Sequence, residues 1–84
     1  MNLEFKPSFE KDLECLSKND SANKRKVQKL ILDILEHPFE GIGKPEPLKY
    51  EWSGCWSRRL DKKNRLIYKV TDDTLILFSC RSHY

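Results

Sequence analysis

Long apolar stretches are missing from this chain of 84 residues. The longest unbroken one is "LILF" at Leu75 to Phe78, far short of a bilayer-spanning helix, so no membrane partner is expected. Cysteine is sparse and odd in number: Cys15, Cys55 and Cys80 cannot all pair with one another, and "MNLEFKPSFEKDLE" carries no apolar leader, which together favour a reducing cytoplasm. Glycine occurs three times, and "GIGKPE" lacks both the Lys-Ser/Thr ending and the following helix of a phosphate-binding loop. The length suits one domain, residues 1–84, near the lower limit for a core without disulfides or metal.

Acidic residues are scarce in one region only. Residues 1–43 hold seven Lys/Arg against eight Asp/Glu, residues 44–69 hold eight against three, and residues 70–84 hold one against two, for net charges of −1, +5 and −1. A basic block of this kind attracts a polyanion, nucleic acid being the commonest.

What the chain does contain is clear periodicity. Leu3 and Phe5 alternate as in a short strand, and Pro7-Ser8 offers a turn and a helix cap before Phe9, Leu13 and Leu16, which form one apolar stripe. Val27, Leu30, Ile31, Ile34 and Leu35 mark a second helix, with Lys24, Arg25, Lys26 and Lys29 near its polar side and Pro38 as its stop. Residues 39–54 have no helical period and read as an ordered loop or short strand. "CWSRRL", "RLIYKV" and "TLILFSC" then form three strands, joined by "DKKN" and "TDD", connections short enough to enforce antiparallel hairpins. The expected fold is α+β: two N-terminal helices packed on one face of an antiparallel sheet.

Antiparallel order brings particular residues together. Arg59 ends one strand, Arg65 begins the next, and the last strand returns so that its C-terminal end, with His83 and Tyr84, lies beside them. Of the adjacent Arg58 and Arg59 only one can face such a site; Arg59 is preferred, leaving Arg58 solvated or paired. Two guanidiniums, an imidazole and a phenol at one sheet end suit an anion. Cleavage of RNA through its own 2′-hydroxyl needs a base, an acid for the leaving oxygen and cations around the phosphorus. Glu46, held between Pro45 and Pro47 and flanked by Lys44 and Lys49, is a candidate base, and His83 a candidate acid. Rival constellations are poorer. Cys80-x-x-His83 has metal-like spacing but lacks two neighbouring ligands, so no metal or other cofactor is expected.

The stretches "PFEGIGKPEPLKYEWSGCWSRRL", "RLIYKVTDD" and "CRSHY" resemble the YoeB/Txe family of toxins, within the RelE/ParE superfamily of type II toxin-antitoxin systems. The likeness is dense from Phe39 to Tyr84; residues 1–38 share only helix pattern and length. It implies a RelE-like, microbial ribonuclease-like fold and a metal-independent endoribonuclease, an mRNA interferase working on mRNA in the ribosomal A site. It also implies a cognate antitoxin whose disordered end folds onto the toxin, and a homodimer. Residue by residue, Glu46 matches the general base, His83 the general acid and Arg65 the phosphate-stabilising arginine, while Lys49, Arg59 and Tyr84 match supporting positions. Ser82, Tyr50 and Cys55 depart from the commoner residues, which bears on base preference. A ParE-like inhibitor that binds its target without catalysis is the alternative, and the pairing of Glu46 with His83 separates the two.

Overall fold

The computed structural model describes residues 1–82. Its elements are β1 (Asn2–Phe5), α1 (Pro7–Asn19), α2 (Ala22–Glu36), β2 (Glu46–Pro47), a 3-10 turn (Tyr50–Trp52), β3 (Trp56–Arg59), β4 (Arg65–Val70) and β5 (Thr74–Ser82). The sheet order is β1-β5-β4-β3-β2.

The antiparallel meander β3-β4-β5 forms as its short connections require, but the sheet as a whole is mixed. β1 lies parallel to β5 at the edge, Leu3 opposite Leu75 and Phe5 opposite Leu77. The physical reason is the long excursion that follows it, since both helices and the 37–54 segment intervene before the chain returns, and such a connection can join parallel strands where a hairpin cannot.

Pro7 opens α1, where its missing N–H is harmless. Ser8 does not cap the helix as expected; its hydroxyl donates across to the Phe78 carbonyl oxygen at 2.5 Å, tying α1 to β5. Asp20 turns the chain between the helices by accepting from the Ala22 amide at 2.9 Å. α2 ends at Glu36, two residues before Pro38.

Both stripes face the sheet. Phe9, Leu16, Val27, Leu30 and Ile34 pack against Leu66, Tyr68, Leu75, Leu77 and Cys80. Leu48, Cys55 and Ile67 form a smaller cluster with Trp52 and Phe78, whose rings meet edge to face at 5.8 Å. The pairing of β4 with β5 slips between Ile67 and Tyr68, opposite Ser79 and Leu77, leaving Phe78 as the extra residue. This bulge breaks simple alternation and puts Leu77 and Cys80 in the main core while Phe78 joins the smaller one.

Cysteine is filler here. Burial, with Asp12 nearby, pushes the Cys80 thiol up to about 12, and burial raises Cys55 as well, so neither offers a thiolate for metal or nucleophilic chemistry near neutral pH. Among the described residues, no helix is long and apolar enough to cross a membrane.

Truncating this core should be severe. Ile34→Ala is expected to lower unfolding free energy by about 2–5 kcal/mol, whereas Leu32→Ala, at a residue 64% exposed, should change it by less than about 0.5 kcal/mol. Urea titrations of both variants check the contrast.

Candidate active site

The site begins with the segment that carries Glu46. Residues 37–45 have no regular structure, yet one buried side chain holds much of the path. Arg58, fully buried on the helix side of β3, uses all five of its N–H donors. Its Nε donates to the Tyr68 hydroxyl at 3.2 Å, Nη1 to the Asp33 carboxylate and, at 3.2 Å, to the Ile42 carbonyl, and Nη2 to the His37 carbonyl and, at 2.7 Å, to that of Glu40. Tyr68 passes the connection on by donating to the Pro38 carbonyl at 2.8 Å. Arg58 is therefore the paired one of the two adjacent arginines.

Asp33 completes the clamp by accepting from the Ile42 amide at 3.1 Å. The Arg58 guanidinium holds its carboxyl below the usual range. Gly41 is needed where the loop passes over this pair: its φ is +117°, and a Cβ would fall 2.1 Å from the Asp33 carboxylate oxygen. The next tie is backbone to backbone, the Arg59 amide donating to the Gly43 carbonyl at 2.6 Å.

Beyond that anchor the chain enters β2. Glu46 lies opposite Ser57 and Pro47 opposite Trp56, on the edge where a proline is tolerated. In the neighbouring pair Ser57 lies opposite Ile67 and Arg59 opposite Arg65. Paired residues share a face, so Glu46, Ser57, Arg59 and Arg65 all lie on the side away from the helices. Arg65 reaches across β3 and its Nη1 stands 3.4 Å from a Glu46 oxygen.

That contact is long for a charge-assisted hydrogen bond, and Glu46 is 55% exposed, so it adds little to stability. Two arginines directly opposite each other repel, an arrangement that an incoming anion relieves. Lys44 and Lys49 flank β2, both exposed and, among the described residues, in no ion pair. Lys44 holds a positive φ of 50°, which fixes the turn into β2. β5 brings Ser82 opposite Arg65. His83 and Tyr84, the candidate acid and its neighbour, lie outside the described residues.

Three participants escaped the sequence reading. Asp33 carried no expectation, and Arg58 was expected to be solvated or paired with no partner named. Ser57 is fully buried between Glu46 and Ile67, and among the described residues its hydroxyl has no hydrogen-bond partner. The available signal was the inward position of Arg58 on a strand, which forces a compensating network.

Comparison with known proteins gives the arrangement a context. Residues 5–84 match the model of the YoeB-like toxin of bacterial type II toxin-antitoxin systems. The chain belongs to this family. It is 43% identical to the Streptomyces coelicolor toxin YoeB over 84 residues, the full length of both. It also superposes on the Staphylococcus aureus YoeB dimer structure with a TM-score of 0.92 and 36% identity, covering all of this chain and 98% of that one. The toxin chain of the heterotetrameric YoeB-YefM toxin-antitoxin complex from the same organism aligns with a TM-score of 0.88 and 36% identity, again over all of this chain and 98% of that one. The fold is accordingly RelE-like, and the protein is a toxin that inhibits translation, in a YoeB family whose members are ribonucleases.

The clamp makes two predictions about stability. Arg58→Leu orphans several buried acceptors and should lower unfolding free energy by about 3 kcal/mol or more, measured by urea titration. Because the Asp33 carboxyl is depressed on folding, its contribution is full above the ordinary carboxylate range and is lost as pH falls through the lowered value. Thermal melts from neutral pH into acid should therefore fall less steeply for Asp33→Asn than for the native chain.

Proposed function

We propose that this toxin cuts mRNA on the ribosome by transesterification through the substrate's own 2′-hydroxyl. Glu46 takes the proton of that hydroxyl, and its oxygen attacks the adjacent phosphorus. His83 protonates the departing 5′-oxygen. The P–O5′ bond breaks, leaving a 2′,3′-cyclic phosphate on one fragment and a 5′-hydroxyl on the other. Arg65 neutralises charge gathering on the phosphorane oxygens, with Lys44, Lys49 and Arg59 holding neighbouring phosphates and Tyr84 supporting the leaving-group side. The proton transfers and charge balance are supplied by these side chains, so the scheme calls on no metal or cofactor.

One observation carries the reading: the Glu46 carboxylate stands 3.4 Å from the Arg65 guanidinium, with Arg59 next to Arg65 across the strands. A bound phosphate can take over Arg65, releasing Glu46 to face the 2′-hydroxyl. A non-catalytic binder has no use for a carboxylate at the centre of a cationic site. The partners proposed are mRNA, the ribosome, a second copy of the chain and a cognate antitoxin, the last two by analogy with the relatives solved as a dimer and as a toxin-antitoxin complex.

Glu46→Gln and His83→Gln are each expected to slow single-turnover cleavage of ribosome-bound mRNA by about a hundredfold or more while leaving the fold intact. A substrate with one deoxy sugar 5′ to the scissile phosphate should resist cutting altogether, as read by mapping RNA ends. Cleavage of that substrate, or full activity in both variants, would remove the mechanism.

A further inference from the structure

The first half of α2 carries Lys24, Arg25, Lys26 and Lys29 and no acid, whereas Asp33 and Glu36 lie in its second half. This order opposes the helix dipole, which favours anions near the N-terminus and cations near the C-terminus. Arg25 and Lys29, four apart, also repel each other. All four cations are exposed, and among the described residues none is ion-paired. Asp61 feels Lys26, but its carboxylate is already occupied by the amides of Lys63 at 2.8 Å and Asn64 at 2.7 Å. The four cations therefore gain no pairing within the described residues, and a polyanion is the kind of partner that would offset their repulsion.

The surroundings point to where that partner runs. Lys26 and Lys29 line a groove of about 210 Å3 whose sheet side is formed by Gly43, Arg59 and Leu60. Arg59 belongs to both the groove and the candidate site, being the cross-strand partner of Arg65. Gly43 immediately precedes Lys44. Cations thus run from Arg65 and Arg59 on the outer face, around the end of β3 where Arg59 borders the groove, to the basic half of α2.

We propose that this groove binds phosphates of the substrate RNA strand beyond the cut, with Lys26 and Lys29 as positioning residues; the inference rests on the reading of Glu46 and Arg65 as the cutting site. Charge complementarity calls for a polyanion, and continuity with that site selects RNA over an acidic protein segment. The groove sets the direction in which the strand leaves the site.

Fluorescence anisotropy with non-cleavable 2′-O-methyl oligonucleotides tests this, comparing a trinucleotide with a strand of about nine nucleotides. Lys26→Gln/Lys29→Gln should weaken the longer strand by about tenfold near physiological salt and reduce its log-log salt slope by about 1.4, for two phosphate contacts on a single strand. The trinucleotide should bind the variant as it binds the native chain, and Lys26→Arg/Lys29→Arg should restore the longer strand's affinity and slope. Arg65→Gln, which reports on the cutting site, should weaken both lengths. An unaltered slope for the longer strand in Lys26→Gln/Lys29→Gln, beside a normal Arg65→Gln effect, would overturn the groove and leave the site reading standing. Equal losses for both lengths, or a loss seen only with ribosomes or with antitoxin, would overturn it as well.

Discussion

The buried guanidinium of Arg58 is the interaction on which the candidate site of this molecule depends. A fully buried cation is tolerable only when its charge and every donor are met, and here one carboxylate, one phenol and three backbone carbonyls meet them. Those carbonyls, at His37, Glu40 and Ile42, belong to a segment with no regular structure. The clamp therefore substitutes for the hydrogen-bond ladder that a helix or strand would have given, and it fixes the loop to the sheet just before Gly43 bonds to Arg59. Glu46 is delivered by a loop whose path is over-determined on its inner side.

From this follows a division of labour between adjacent residues. Arg58 points inward to hold the loop, and Arg59 points outward to the surface that the loop completes. One dipeptide thus couples the core to the candidate site. Below that surface, Leu48, Cys55 and Ile67 with Trp52 and Phe78 give the outer face its own apolar support, so the polar residues rest on a packed layer. The ion pair at the top is loose by contrast, with 3.4 Å between Arg65 Nη1 and the Glu46 carboxylate, and under the proposed reaction a phosphate displaces it.

Much of this architecture was legible from periodicity. Phe9 and Leu16, and Val27, Leu30 and Ile34, are buried as their spacing required, and the short "DKKN" and "TDD" connections led to the hairpins found. The convergence of Arg59 and Arg65 followed from antiparallel order alone. Long-range choices were not legible. Nothing within "NLEF" says whether it pairs parallel or antiparallel, because that depends on where the chain returns after both helices. The bulge at Phe78 was hidden because "LILF" is apolar at every position and cannot report which residues face which core. The Arg58–Asp33 pair was hidden because it joins positions far apart in the chain, on elements whose polar residues look alike in isolation. At the candidate site, residue type and local restraint made Glu46 a candidate base, but its meeting with Arg65 across β3 needed the register of three strands.

The central claim is that Glu46 and Arg65 form one site in which the scissile phosphate takes over the arginine and frees the carboxylate. A crystal structure of the toxin with a short RNA carrying a single deoxy sugar at the cut tests it most directly. The account predicts a phosphate oxygen hydrogen-bonded to Arg65, with Glu46 parted from the guanidinium and turned toward the carbon that would bear the 2′-hydroxyl. A strand bound elsewhere, with the contact between Glu46 and Arg65 still closed, would contradict it.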